Sequence, residues 1–247
     1  MIRRTAVAVA LASTSALART PPARASARSG GAAQTIARMT AHYHDPALEQ
    51  QNRAFALLYL RTTEGMRDAS SAGEFSDPGF WDRRVIPAFA DYYLSAYDAW
   101  RRSARDEVAP AWRIAFGAPA SGLTCTQLLY LGVNAHVNND LSFVIEDLGP
   151  RYRYPDHRHV DDVLVHRTRP VVYPEIQRHL CPELFSETVP ADADRDILAW
   201  RQLAWDNSRL LLEAGTSRAR VALAASIRRH AHDKADEILA WNRPRGL

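Results

Sequence analysis

The sequence predicts an all-α protein: one multi-helix, bundle-like domain with no significant sheet. Three observations carry that expectation. Apolar residues recur at three- and four-residue steps through most of the chain, the period of a helix that buries one face. Sustained apolar–polar alternation, which a half-buried strand would show, is absent. Pro and Gly punctuate the periodic stretches where helices start and stop. The composition is that of a globular chain: 247 residues, 47% hydrophobic and 24% charged, with 11 Gly and 14 Pro, too apolar for disorder and too poor in Gly for a collagen-like repeat.

Taken in order, residues 1–27 read as a leader. Arg3 and Arg4 begin it, and Thr5 to Ala18 is Ala-rich and mildly apolar. Small residues then flank cleavage points at Ala16-Leu17-Ala18, Ala23-Arg24-Ala25 and Ala25-Ser26-Ala27. That order is the pattern of a secretion signal, although the residues around the paired Arg do not complete a twin-arginine motif. Export of a helical domain spanning 35–243 is the expectation, with an unprocessed N-terminus in the cytoplasm as the alternative.

Asp45-Pro46 fits a capped helix start with Pro at the first position. Leu48, Phe55, Leu58, Tyr59 and Thr62 then keep helical spacing to about Ala69. Ser71 to Ser76 is a turn, and Asp77-Pro78 repeats the capped start. Pro87 lacks an N–H and must break or kink the segment after it. Phe89, Tyr92, Tyr93, Ala96, Tyr97 and Trp100 form a broad aromatic stripe, most simply core. A short helix is expected over Ala111 to Phe116 and a loop over Gly117 to Gly122. A long helix runs from about Thr124 to Leu148 and stops at Gly149-Pro150. Residues 150–174 are the least regular, with a short helix near His159 to His166. Pro174 opens another helix reaching about Phe185. Two long helices close the chain, Asp192 to Ala214 and Ser217 to Trp241, split by Gly215.

The net charge of +3 and pI near 9.0 invite a nucleic-acid reading. However, Arg3, Arg4, Arg19 and Arg24 lie in the leader with no acid among them, and the remainder is slightly acidic. A nucleic-acid binder keeps its basic stripe on the folded body, so no nucleic-acid partner is expected. No apolar run reaches the roughly 18–20 residues that span a bilayer, so no transmembrane segment is expected. An exported protein would pair its two cysteines, Cys125 and Cys181, in a disulfide worth about 4 kcal/mol in the chain-entropy model. Two buried free thiols are the alternative. Two thiolates alone cannot fill a tetrahedral zinc site.

Chemistry concentrates in the long helix. Asn134, His136, Asn138, Asn139 and Asp140 put five polar residues into seven positions of an otherwise apolar stretch. On a helix of about 3.6 residues per turn, His136 and Asp140 are neighbours one turn apart. Leu129, Val133, Val137 and Val144 share their side, so the pair faces an apolar interior. A buried imidazole or carboxylate needs a partner or a metal. Three readings are open. His136 and Asp140 satisfy each other while Asn134 and Asn138 bridge helices; or they ligate a divalent metal, zinc or manganese; or His136 is a general base oriented by Asp140. Asp162 and His166 repeat the carboxylate–imidazole spacing in reverse order within a cluster that also holds His157, His159 and Asp161. Set opposite the first pair, they would complete a metal site of His136, Asp140, Asp162 and His166. His42, His44 and Asp45 are a weaker cluster, most simply a cap. No Gly-x-Ser-x-Gly elbow, Walker loop or Gly-x-Gly-x-x-Gly occurs.

Leu131-Gly132-Val133-Asn134-Ala135-His136-Val137-Asn138-Asn139-Asp140-Leu141 resembles the central motif of an uncharacterised bacterial family common in actinobacteria, the domain of unknown function 5995. Phe55 to Thr63 and the aromatic helix Phe89 to Trp100 resemble that family too. The resemblance implies an all-helical fold over most of 45–240, places Asn134, His136, Asn138 and Asp140 at motif positions, and brings no activity. More remotely, His136-x-x-x-Asp140 resembles the zinc-binding motif of helical phospholipases C and related nucleases, which also use an N-terminal Trp that this chain lacks. The expectation is a secreted helical enzyme with catalytic His136, Asp140, Asn134 and Asn138, most simply a metal-assisted hydrolase of a small-molecule or lipid-like substrate. A non-catalytic binding domain and a metal-free, His-based biosynthetic enzyme are the alternatives.

Overall fold

A computed structural model describes residues 30–119, 121–182 and 193–241, and among them the fold is all-α, without a strand. The helices are α1 (Ala32–His44), α2 (Gln50–Ser71), α3 (Pro78–Phe80), α4 (Ile86–Arg101), α5 (Pro110–Gly117), α6 (Cys125–Asn134), α7 (Leu141–Leu148), α8 (Tyr154–Val163), α9 (Arg169–His179), α10 (Ala193–Glu213) and α11 (Ser217–Leu239). The leader and the end of the predicted helix at Phe185 lie outside the described residues. No helix among the described residues is long and apolar enough to cross a membrane.

Local chemistry sets the helix starts. Asp77 accepts from the Phe80 amide at 2.9 Å with Pro78 at the first position, as the sequence implies. Thr124 caps α6 in a reciprocal pair with Gln127, satisfying two amides that the helix leaves open. Asp45-Pro46 behaves differently from expectation. Asp45 ends α1, an Ala-rich helix upstream of the predicted capped start, and its carboxylate accepts from Ala47 N at 2.8 Å. That local turn uses up the carboxylate, so α2 starts only at Gln50.

Three turns are wider than α-helical, with i→i+5 hydrogen bonding: Trp81–Val85, Ala135–Asp140 and Leu164–Thr168. Each inserts a residue and rotates the face presented beyond it. The first carries the chain into α4, where Pro87 is the second residue; the run is helical from Pro78, so the wide turn falls where Pro87 has no N–H to give to the turn before it. The second divides the predicted long helix into α6 and α7. The third joins α8 to α9, so residues 154–179 are helical where irregularity was expected. Pro174 falls inside α9 rather than at its start.

Helix α2 is central, packed against α1, α6 and α9, while the α6–α7 rod lies against α10 and α11. The fully buried large side chains include Trp112, Tyr93, Tyr130, Phe116 and Met39. Gly132 of α6 meets α2 so closely that a Cβ there would stand 2.5 Å from the Phe55 ring. Cys125 at the head of α6 and Cys181 after α9 are joined by a disulfide, Cα atoms 6.0 Å apart.

Candidate functional site

The wide turn Ala135–Asp140 splits the polar motif over three surroundings. Asn134 and Asn138 face α11. Asn134 Nδ2 donates to Ala231 O at 2.8 Å and its Oδ1 accepts from Asn138 at 2.9 Å. These two amides bind the motif to the C-terminal helix, so their observed contacts are those of helix packing. Asp140 faces α5: Oδ2 accepts from the Trp112 indole at 2.8 Å and Oδ1 from the Asn139 amide at 2.7 Å. His136 faces α2. Its ring lies 4.4 Å from that of Tyr59, centre to centre, and 6.0 Å from that of Phe89.

His136 Nδ1 stands 3.4 Å from Asp140 Oδ2. A carboxylate only accepts, so the contact favours a proton on Nδ1, and in the neutral ring Nε2 is then the lone pair. Trp112 and Asn139 hold the carboxylate that orients the imidazole. At this distance the contact is a long one. Trp112, Asn139 and Tyr59 were not expected at the centre. Asn139 stood in the motif, but nothing in sequence spacing brings α5 or Tyr59 to it.

His136 borders a cavity of about 150 Å³. Its walls are mostly apolar, with Phe55, Met66, Phe89, Val133 and Leu141 among them. All three wide turns reach it, through Trp81 and Val85, His136 and Val137, and Leu164 and Thr168. Two buried polar atoms on this lining have no partner among the described residues: the Tyr59 hydroxyl and Thr168 Oγ1. Burial, reinforced by the Asp140 carboxylate, pushes the Tyr59 phenol well above its usual pKa. It stays protonated and is a donor without an acceptor.

Of the other sequence clusters, the one around Asp161 and His157 reaches this cavity through Tyr152 and Arg201 on its lining, and the rest do not join it. Asp162, 70% exposed, lies 3.9 Å from His159 Nδ1, and His166 is exposed. The four-residue metal set of His136, Asp140, Asp162 and His166 is therefore not assembled: the third wide turn and the pitch of α8 leave the second pair on the surface. Among the described residues no group of three or more His, Cys, Asp or Glu is arranged to hold a metal ion. Asp161, not Asp162, is the buried carboxylate of α8. It accepts from Arg201 Nε and pairs with Arg158 at 2.7 Å. Arg201 Nη2 donates to His157 O at 3.0 Å, His157 Nε2 donates to Arg201 O at 3.1 Å, and the Tyr152 hydroxyl donates to His157 Nδ1 at 3.3 Å. Burial, helped by the Arg201 cation, pushes the His157 imidazole down to about 2. His42 bonds Tyr93 at 2.7 Å, His44 is exposed and Asp45 caps its own turn, so that trio does not converge.

The chain belongs to the family of unknown function DUF5995, which it matches over residues 32–241. No curated protein and no solved structure matches it.

Proposed function

We propose that this family member is an enzyme acting by general-base catalysis on a small, largely apolar carbonyl compound held in the cavity beside His136. The observation that carries the reading is the conjunction of an oriented imidazole, a buried phenol with no acceptor among the described residues, and a mostly apolar cavity that Arg169 and Arg201 also line. Nature seldom leaves a desolvated hydroxyl unbonded without use for it. In an otherwise apolar pocket, a few convergent polar groups are what fixes a ligand.

The division of labour rests on donor and acceptor roles. Asp140 holds the proton of His136 on Nδ1. Nε2 can then take a proton from the substrate or from a water attacking it. The Tyr59 hydroxyl donates to the substrate's carbonyl oxygen and strengthens as negative charge builds there, the behaviour required of a donor in an oxyanion site. Thr168 Oγ1 offers a second polar contact. A cavity of about 150 Å³ is the size that admits a benzene-sized molecule, so the substrate class is narrow. Asn134 and Asn138, expected as catalytic, act in this reading only by fixing the turn that aims His136. Metal assistance by zinc or manganese stays a second possibility at His136 and Asp140, because imidazole and carboxylate lie side by side there; no step here depends on it.

Phenyl acetate tests the reading, since it is a small, largely apolar carbonyl compound with a benzene ring and reports cleavage by absorbance. The purified chain should hydrolyse it with a pH–rate limb of one basic group. His136→Gln should lose about 100-fold or more, the usual worth of a positioned base, and Tyr59→Phe should lose rate while still binding the ester. Equal rates in wild type and His136→Gln would sink the general base. A rate abolished by EDTA and restored by zinc or manganese would move the function to the metal reading.

A further inference from the structure

A second concavity, a cleft of about 1300 Å³, lies on the far side of the Ala135–Asp140 turn from the cavity. Helices α4, α5, α7, α10 and α11 contribute to its walls. The carboxylates of this cleft are already engaged. Glu146 receives both Arg220 nitrogens, at 2.6 and 2.7 Å. Asp147 accepts from the Tyr92 hydroxyl at 2.7 Å, and Glu107 pairs with Arg102 at 3.2 Å. Asp140 accepts from Trp112 and Asn139, and Asp106 has a contact of its own.

Two cations on the same cleft have no such partner. Arg228 of α11 is half-buried, its guanidinium carbon 5.2 Å from the centre of the Phe143 ring, and no carboxylate among the described residues pairs with it. Arg113 of α5 is half-buried and likewise without an ion pair among the described residues. Burial and then the neighbouring Arg220 disfavour the charge on Arg228, with Tyr92 and Asp140 opposing them only in part, and a guanidinium keeps its charge regardless. A desolvated cation without a counter-ion is costly. Stacking on Phe143 offsets part of that cost and leaves the planar fork of N–H donors free for a planar or tetrahedral oxyanion. An independent observation points the same way. Asn139, 4% exposed, lines the cleft, and its Oδ1 is buried without a hydrogen-bond donor among the described residues while its Nδ2 is spent on Asp140.

We propose that this cleft is a second ligand site, for a small organic anion. A carboxylate or phosphate group would sit on Arg228, with Arg113 adding charge, and a hydroxyl or N–H of the same ligand would donate to Asn139 Oδ1. The site is separate from the cavity reading and stands or falls without it.

Trp112 lines the cleft, and its indole N–H, held on Asp140, reports on it by nitrogen–proton NMR. Inorganic phosphate, lactate and acetate are titrated into the full chain at ionic strength held constant with chloride. Phosphate or lactate should move the Trp112 signal saturably, and lactate should bind more tightly than acetate because only lactate carries the extra hydroxyl donor. Response to one of the two anions alone identifies the group the site takes. Arg228→Gln should weaken binding at least 10-fold, and Arg228→Lys, which keeps the charge but loses the fork, should weaken it less. Shifts no larger than those with chloride would overturn the proposal on the wild-type chain alone. So would an unchanged affinity in a folded Arg228→Gln or Arg228→Lys protein.

Discussion

Asp161 and Asp140 are equally buried, each side chain about 4% exposed, and each belongs to a network that includes a histidine. Around Asp161 the charges are matched, although its Oδ2 meets Arg158 as an ion pair without a hydrogen bond among the described residues. Arg201 and Arg158 face the carboxylate, and both ring nitrogens of His157 are bonded. Around Asp140 the bonding stops short: His136 has one nitrogen held at 3.4 Å and lines a cavity, beside a phenol with no acceptor among the described residues. A closed network specifies packing, whereas an open one holds bonding capacity in reserve for something that is not part of the chain. Charge type alone does not separate a structural polar cluster from a reactive one; the count of unused donors and acceptors does.

Cutting the closed network should produce the largest effect. Arg201→Met leaves Asp161 buried with only the half-exposed Arg158, and about 3–5 kcal/mol of stability should be lost, read from urea unfolding. The matching cut at the open site, Asp140→Asn, keeps shape and forfeits charge-assisted bonds from Trp112 and Asn139, for about 1–3 kcal/mol. Comparable losses at the two would erase the distinction between the networks.

Next in size is the contact that sets the open site's distance from α2. Gly132→Ala would drive a methyl into Phe55, where the ideal Cβ position is 2.5 Å from the ring. Overpacking of this kind costs about 1–3 kcal/mol. Because Phe55 also stands 6.3 Å from His136, ring centre to ring centre, the same variant should shift the imidazole's proton NMR signals while those of His157 stay put. Movement of both histidines would mean that the two networks are mechanically one.

Much of the architecture could be read from the sequence, and the reasons are local. Asp77-Pro78, Thr124 with Gln127, and Gly215 act within a few residues of themselves, so helix starts and breaks at those points come from side-chain chemistry. The polar motif was equally visible, because five polar residues in an oily helix violate the pattern around them. What stayed hidden is non-local. The wide turn at 135–140 adds one residue to a turn, and no propensity marks it; without it, His136, Asp140 and the two asparagines share fewer surroundings than they do here. Trp112 and Tyr59 reach the site from helices far away in sequence, and their spacing fits core residues as well as site residues. Asp162 was misplaced for a similar reason, since a one-residue rotation of α8 exchanges it with Asp161 between surface and interior.

The closed network also has a pH signature. Folded His157 is held down to about 2 against an unfolded value of 6.5. Above pH 6.5 neither state is protonated, and the neutral ring contributes in full. Below 6.5 the unfolded chain takes up a proton that the folded chain refuses, so stability falls with pH, by up to about 1.4 kcal/mol per unit from this one group. Urea unfolding at pH 7.5, 6.0 and 5.0 should show that decline in wild type and a flatter one in His157→Gln. The same slope in both would mean that the ring protonates without breaking its bonds, and the network around it would not be closed.

The smallest expected effect has the opposite sign. Tyr59→Phe deletes a hydroxyl that is buried and unbonded, so the variant no longer carries the desolvation cost of an unsatisfied donor. It should be more stable than wild type by up to about 1 kcal/mol, a gain that trimming a satisfied core hydroxyl would not give. If the phenol is kept for a ligand, the stabilised protein should be the poorer catalyst for phenyl acetate, which is the usual relation where a site stores unfavourable energy for its task. Tyr152→Phe is the counterpart in the closed network. Its hydroxyl donates to His157, so the same chemical change there should destabilise. Opposite signs at Tyr59 and Tyr152 would support the contrast between the two centres from one atom each; a loss at both would mean that the Tyr59 hydroxyl already has a partner inside the fold.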